Sequence, residues 1–194
     1  MTLAQTIRKK LYPLAMLFKV GRRGQYITNA SGTRPLQSFY SLKALTNSEE
    51  LFSFENLRGK KIMIVNTASD CLFTGQYKEL EELHQLYKDK LVILGFPPND
   101  FGEQEKGSDD EIAEFCQINF HVTFPLMEKS IVVKKYGQHE VYQWLTDSNK
   151  NGWNNQAPVW NFSKYLINED GVLMDYFGTT VSPLSKVVKD AITE

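Results

Sequence analysis

The sequence predicts an α/β fold, a central mixed sheet flanked by helices. Three observations carry that prediction. Two short apolar runs rich in β-branched residues are separated by an amphipathic helical stretch. A pair of strand-like runs near the C-terminus is joined by a turn. Capping signals then mark further helices beside these strands. With 194 residues the chain is long enough for one ordinary domain with a sound core. Residues 1–37 read as a basic amphipathic extension and residues 38–194 as the folded domain.

The elements follow in chain order. Leu3, Ile7, Leu11, Leu14 and Phe18 fall at helical spacing among Arg8, Lys9, Lys10, Lys19, Arg22 and Arg23, with Pro13 as a break or a new start. The apolar run Leu11 to Phe18 is far too short to span a bilayer. Such a segment suits peripheral contact with an anionic membrane through residues 1–36, or a targeting or disordered tail. Lys60 to Asn66 is the first strand of the body. Helical spacing from Tyr77 to Lys88 puts Tyr77, Leu80, Leu83 and Tyr87 on one face and Glu79, Glu81 and Glu82 toward water. Leu91 to Phe96 is a second buried strand, closed by Pro97 and Pro98. Ser108-Asp109-Asp110-Glu111 is a capping box opening a helix whose Ile112, Phe115 and Cys116 share a face. Trp160 to Ile167 and Val172 to Phe177 form a hairpin around Asn168-Glu169-Asp170-Gly171. Ser182 caps a last helix with Pro183 at its first position.

Charge and cysteine content narrow the function. Eight Lys or Arg precede Glu49, the first acid, so the body after it is acidic and offers no basic face for nucleic acid. Two cysteines, Cys71 and Cys116, make no disulfide framework. His84, His121 and His139 are scattered, so neither a metal site nor a cofactor is expected. The lack of paired structural cysteines and of a convincing signal-cleavage site points to the cytoplasm, with membrane association through the N-terminal arm.

Cys71 is placed in a turn between a buried strand and a helix, where backbone N–H groups and the helix dipole favour a thiolate. Alone, it reads equally as a small buried residue. Ionisation gains only about thirtyfold over an ordinary thiol at neutral pH, and a more acidic thiolate is a weaker nucleophile. A fast peroxide-reducing thiol therefore also needs donors that orient the O–O bond and stabilise the departing oxygen.

Such donors come with a resemblance. Asn66-Thr67-Ala68-Ser69-Asp70-Cys71-Leu72-Phe73-Thr74, then Gly95 to Glu105, then Trp160-Asn161-Phe162-Ser163-Lys164-Tyr165-Leu166 resemble, in order and spacing, the three signature blocks of the glutathione peroxidase family. The resemblance runs from about Phe39 to the C-terminus. It implies a thioredoxin-like fold and a site of Cys71, Gln104, Trp160 and Asn161, a nucleophile with three uncharged donors. It also implies a peroxidase reducing hydrogen peroxide and organic or lipid hydroperoxides through a Cys71 sulfenic acid, with thioredoxin or glutathione as reductant. A peroxide-sensing thiol protein that relays oxidation to a partner is the alternative. The chain departs from the family at Leu72 (commonly glycine), Pro98 (often cysteine), Asp100 (often glutamine) and Lys106 (commonly proline).

Two points stay open at this level. Cys116 is the only internal candidate to resolve the sulfenic acid, yet its apolar spacing suggests core packing, and the plant-type resolving cysteine aligns at Gln117. The segment from His139 to Trp160 is short beside that of tetrameric relatives, which implies a monomer of the phospholipid-hydroperoxide or thioredoxin-dependent type.

Overall fold

The computed structural model describes residues 26–194. The strands are β1 (Tyr26–Thr28), β2 (Lys43–Leu45), β3 (Leu51–Ser53), β4 (Lys61–Asn66), β5 (Leu91–Phe96), β6 (Lys164–Ile167) and β7 (Leu173–Phe177). The helices are α1 (Gln76–Tyr87), α2 (Asp109–Phe120), α3 (Glu140–Leu145), α4 (Ser148–Asn151) and α5 (Lys186–Thr193). Five strands form one sheet in the order β1-β7-β6-β4-β5, and β2 pairs with β3 in a separate hairpin. Among the described strands only β4 and β5 run parallel, and a parallel pair requires a crossover, which α1 supplies.

Every residue of β4 is buried, as expected of a central strand covered on both faces. The pleat sends Ile62 and Ile64 to one side, where they meet Tyr165, Ile167, Phe96 and the α3 residues Tyr142 and Trp144. Met63 and Val65 go to the other, against Tyr77, Leu80 and Leu83 of α1, Ile112 and Cys116 of α2 and Val188 of α5. Gly95 is required where the chain returns beside β5. Its N–H donates to Pro125 O, its carbonyl accepts from Met127 N, and a Cβ there would stand 2.7 Å from the Leu126 side chain. The capping box on α2 forms in both directions.

Three details differ from the sequence expectation, each for a local reason. The strand predicted from Trp160 begins only at Lys164. The Asn66 side chain, at the end of β4, donates to Trp160 O and accepts from Ser163 N, so residues 160–163 turn, with buried Phe162 at φ 62. The last helix starts at Lys186 rather than after Ser182, whose hydroxyl turns instead to Glu79 and accepts from Leu184 N. Tyr26–Thr28 pairs antiparallel along β7 and closes the sheet edge, so this part of the predicted extension is built into the body. Residues 33–41 also pack down: Leu36 and Gln37 N donate to Lys150 O, and the Trp144 indole donates to Gln37 O at 2.7 Å. The amphipathic pattern over Leu3 to Phe18 lies outside the described residues. Among those described, no helix is long and apolar enough to cross a membrane.

Candidate active site

Strand β4 ends at Asn66, and the chain turns through residues 67–75 before α1 begins. Thr74 organises this turn: its hydroxyl accepts from Cys71 N at 3.0 Å and donates to Ala68 O at 2.9 Å. The loop presents a half-buried Cys71, toward which Phe73 N–H points at 3.5 Å from Sγ. The loop after β5 brings Gln104 alongside, its carbonyl accepting from Asp70 N at 3.0 Å. The turn held by Asn66 supplies Trp160 and Asn161, whose side-chain N–H groups lie near enough to the Cys71 sulfur to favour its anion. Asn161 Nδ2 also donates to Gln104 Oε1 at 3.0 Å, and the Trp160 ring rests on Phe101 with centroids 5.4 Å apart. The structure thus brings Cys71, Gln104, Trp160 and Asn161 together from three separate loops.

The electrostatics correct one expectation. Burial pushes the Cys71 thiol above its ordinary value and outweighs the Phe73 N–H, Asn161 and Trp160 donors, which pull it down. Turns that begin at Cys71 O lead directly into α1, and even so burial prevails. Cys71 therefore rests as a thiol in a pocket of donors suited to its anion.

Cys116 lies on the inner face of α2, 1% exposed, and burial raises its thiol to about 11. It faces Tyr77 and packs among the residues of the α1–α2 layer, while Gln117 next to it is exposed. Among the described residues, no group of three or more His, Cys, Asp and Glu side chains could hold a metal ion.

Two residues within the quoted blocks gain a position that the sequence alone gave no reason to single out. Glu105 is 1% exposed, and its carboxylate accepts from Ser69 Oγ at 3.1 Å directly below the Cys71 loop. Burial lifts its carboxyl to about 6. Beside it a cleft of about 460 Å³ is lined by Asp70, Gln104, Lys106, Ile112 and Phe115 among others.

A model of the glutathione peroxidase family matches residues 39–146. The chain is 46% identical over 149 residues to glutathione peroxidase-like peroxiredoxin 2 of Saccharomyces cerevisiae, covering 76% of this chain and 91% of that one. The chain belongs to the glutathione peroxidase family. A glutathione peroxidase-like peroxiredoxin of Chlamydomonas reinhardtii is 48% identical over 148 residues, covering 76% of this chain and 90% of the relative. The crystal structure of Trgpx in apo form superposes with a TM-score of 0.62 at 34% identity, covering 82% and 97% of the two chains. A thiol:disulfide interchange protein of the thioredoxin family from Chlorobium tepidum matches at a TM-score of 0.56 and 15% identity, over 82% and 93% of the chains. That likeness shows the thioredoxin-like fold.

As a glutathione peroxidase, the chain accommodates its departures locally. Leu72 needs no left-handed backbone and leaves its side chain 60% exposed. Asp100 is a fastener: its nearly buried carboxylate accepts from Val132 N at 2.7 Å and from Lys135 Nζ at 2.6 Å, tying the Gln104 loop to residues 132–135. Lys106 pairs with Glu103 at the surface. Pro98 is buried.

Proposed function

We propose that the chain reduces hydrogen peroxide and organic or lipid hydroperoxides to water and alcohols, with Cys71 as the attacking nucleophile. The observation that carries this reading is the convergence of Asn161, Trp160 and Phe73 N–H on the Cys71 sulfur, with Asn161 fixed to Gln104. As peroxide enters, the thiol gives up its proton and the sulfur attacks one peroxide oxygen. An S–O bond forms and the O–O bond breaks. The leaving oxygen takes the proton and departs as water or alcohol, and the sulfur is oxidised to a sulfenic acid. The uncharged donors fit this sequence, because they favour the transient thiolate and the developing oxyanion without a titration of their own.

A thiol must then close the cycle. The buried position and raised thiol of Cys116 support an outside reductant, thioredoxin or glutathione, over an internal disulfide. The reductant's thiol attacks the sulfenic sulfur and releases water, and a second thiol frees Cys71 as the reductant leaves as a disulfide. Steady-state peroxide consumption should be compared with the thioredoxin system and with glutathione for the wild type, Cys71→Ser and Cys116→Ser. Cys71→Ser is expected to be inactive with both, and Cys116→Ser to keep turnover unchanged with the preferred reductant. Activity in Cys71→Ser would overturn the assignment of the nucleophile, and loss of turnover in Cys116→Ser would restore the internal disulfide. The names of the relatives as peroxidases and peroxiredoxins do not favour the sensor alternative.

A monomer in the cytoplasm completes the proposal, with peripheral membrane contact through the basic arm. The short 139–160 segment, and the seven Lys and Arg without an acid in residues 1–36, support it.

A further inference from the structure

The Cys71 loop and the Gln104 loop approach each other as backbones, and the Glu105 side chain joins them. Glu105 follows Gln104 directly, and its own N–H is fixed by Asn99 Oδ1 at 3.1 Å. Its carboxylate, turned inward and 1% exposed, accepts from Ser69 Oγ at 3.1 Å, and the nearby Ser69 backbone N–H also favours its anion. One residue on, Asp70 N donates to Gln104 O at 3.0 Å. Residues 69–70 and 104–105 are thus stapled together, with Cys71 at one end and the Gln104 amide at the other. The backbone rung alone leaves the loops free to pivot about it, whereas a carboxylate facing both Ser69 donors fixes their rotation.

We propose that Glu105 is a positioning residue for peroxide reduction: its ionised carboxylate clamps Ser69 and so holds Cys71 in register with Gln104 and Asn161. This rests on the reading of Cys71 and Gln104 as catalytic residues. A protonated carboxyl, or an amide in its place, must donate as well as accept and cannot serve both Ser69 donors equally well, so the clamp loosens on neutralisation. The groups facing Glu105 are Ser69 below the nucleophile, Tyr77 from α1, Cys116 from α2 and the Lys129 cation from the segment after Phe124. Burial raises both the Tyr77 phenol and the Cys116 thiol, so they stay neutral through the acid range. Glu105, lifted to about 6, is the group among them that changes charge there.

The test is single-turnover oxidation of Cys71 by hydrogen peroxide from pH 5 to pH 8. Each rate is divided by that of a free thiol of ordinary pKa at the same pH; both thiols lie above this range, so their shared loss of thiolate cancels. The wild type should lose about tenfold in this normalised rate on acidification, with a midpoint near 6, because small misplacements of reacting groups are costly in rate. Glu105→Gln should sit at the low level at every pH with no midpoint, and its melting temperature at pH 7.5 should not fall. Ser69→Ala keeps the carboxylate but removes one bond that lowers its pKa, so its midpoint should move to higher pH. A wild-type rate in Glu105→Gln, or a midpoint unmoved in Ser69→Ala, overturns the clamp. Ser69→Ala decides the question alone if Glu105→Gln does not fold. Cys71→Ser, run in parallel, separates this from failure of the catalytic reading, since peroxide consumption by that variant contradicts the nucleophile itself.

Discussion

Asn161 has two tasks in one amide, favouring the Cys71 anion and donating to Gln104 Oε1. Truncating it removes a donor to developing charge and frees Gln104 at once, so Asn161→Ala is expected to slow peroxide reduction by about a hundredfold. Stopped-flow rates with hydrogen peroxide check this, with an unchanged unfolding midpoint as the control. Glu105 makes the opposite demand on the fold. Its carboxyl lies at about 6 when folded against an ordinary 4.5, so the folded chain holds the proton more tightly. Stability therefore falls as pH rises from 4.5 to 6, and above that window the ionised group costs about 2 kcal/mol. Glu105→Gln should accordingly be more stable than the wild type at pH 7, and the difference should shrink toward zero as pH falls through 4.5. Urea unfolding at both pH values reads it. The tetrad Cys71, Gln104, Trp160 and Asn161 was legible through the family resemblance, because its residue types stand in three ordered blocks. The Ser69–Glu105 pair was not, since an acidic residue in a polar loop gives no sign that its carboxylate turns inward. The raised Cys71 thiol was also hidden, because motif spacing does not show burial.

Among the elements, β4, β5, α1, α2 and the β6–β7 hairpin follow the periodicity that predicted them, since each buries one clear stripe or run. The failures come where side chains override local pattern. Asn66 bends residues 160–163 out of the strand, and that turn is what aims Trp160 and Asn161 at Cys71. Strand β1 is not legible in the sequence because a three-residue edge strand has no period of its own. It is nevertheless well tied: Tyr26 stacks on Phe177 at 5.2 Å, and the Asn29 backbone and side chain bond Met174 O and Leu173 O. A chain starting at Ser38 should be about 2 kcal/mol less stable than one starting at Tyr26, the sum of a few net hydrogen bonds and one ring contact. Thermal unfolding of the two truncations checks this. Liposome binding by residues 1–25 is best tested with the chain starting at Tyr26, because it leaves the sheet edge intact.

At the scale of the molecule, the fold gathers three loops at one end of the parallel β4–β5 pair. None of the tetrad residues is close in sequence to all the others, and the β-strands supply the rigidity that short loops lack. The asymmetry between the two thiols follows from this arrangement. Cys71 sits on a loop at the sheet's end with donors around its sulfur, and Cys116 is sealed in a helix face with its thiol at about 11. Mixing the fully reduced protein with one equivalent of hydrogen peroxide, trapping sulfenic acid within milliseconds and locating it by peptide mass spectrometry tests that asymmetry directly. Trapped label on Cys71 alone, formed faster than on a free thiol at the same pH, is the predicted result. Label on Cys116, or oxidation of Cys71 no faster than a free thiol, would contradict it.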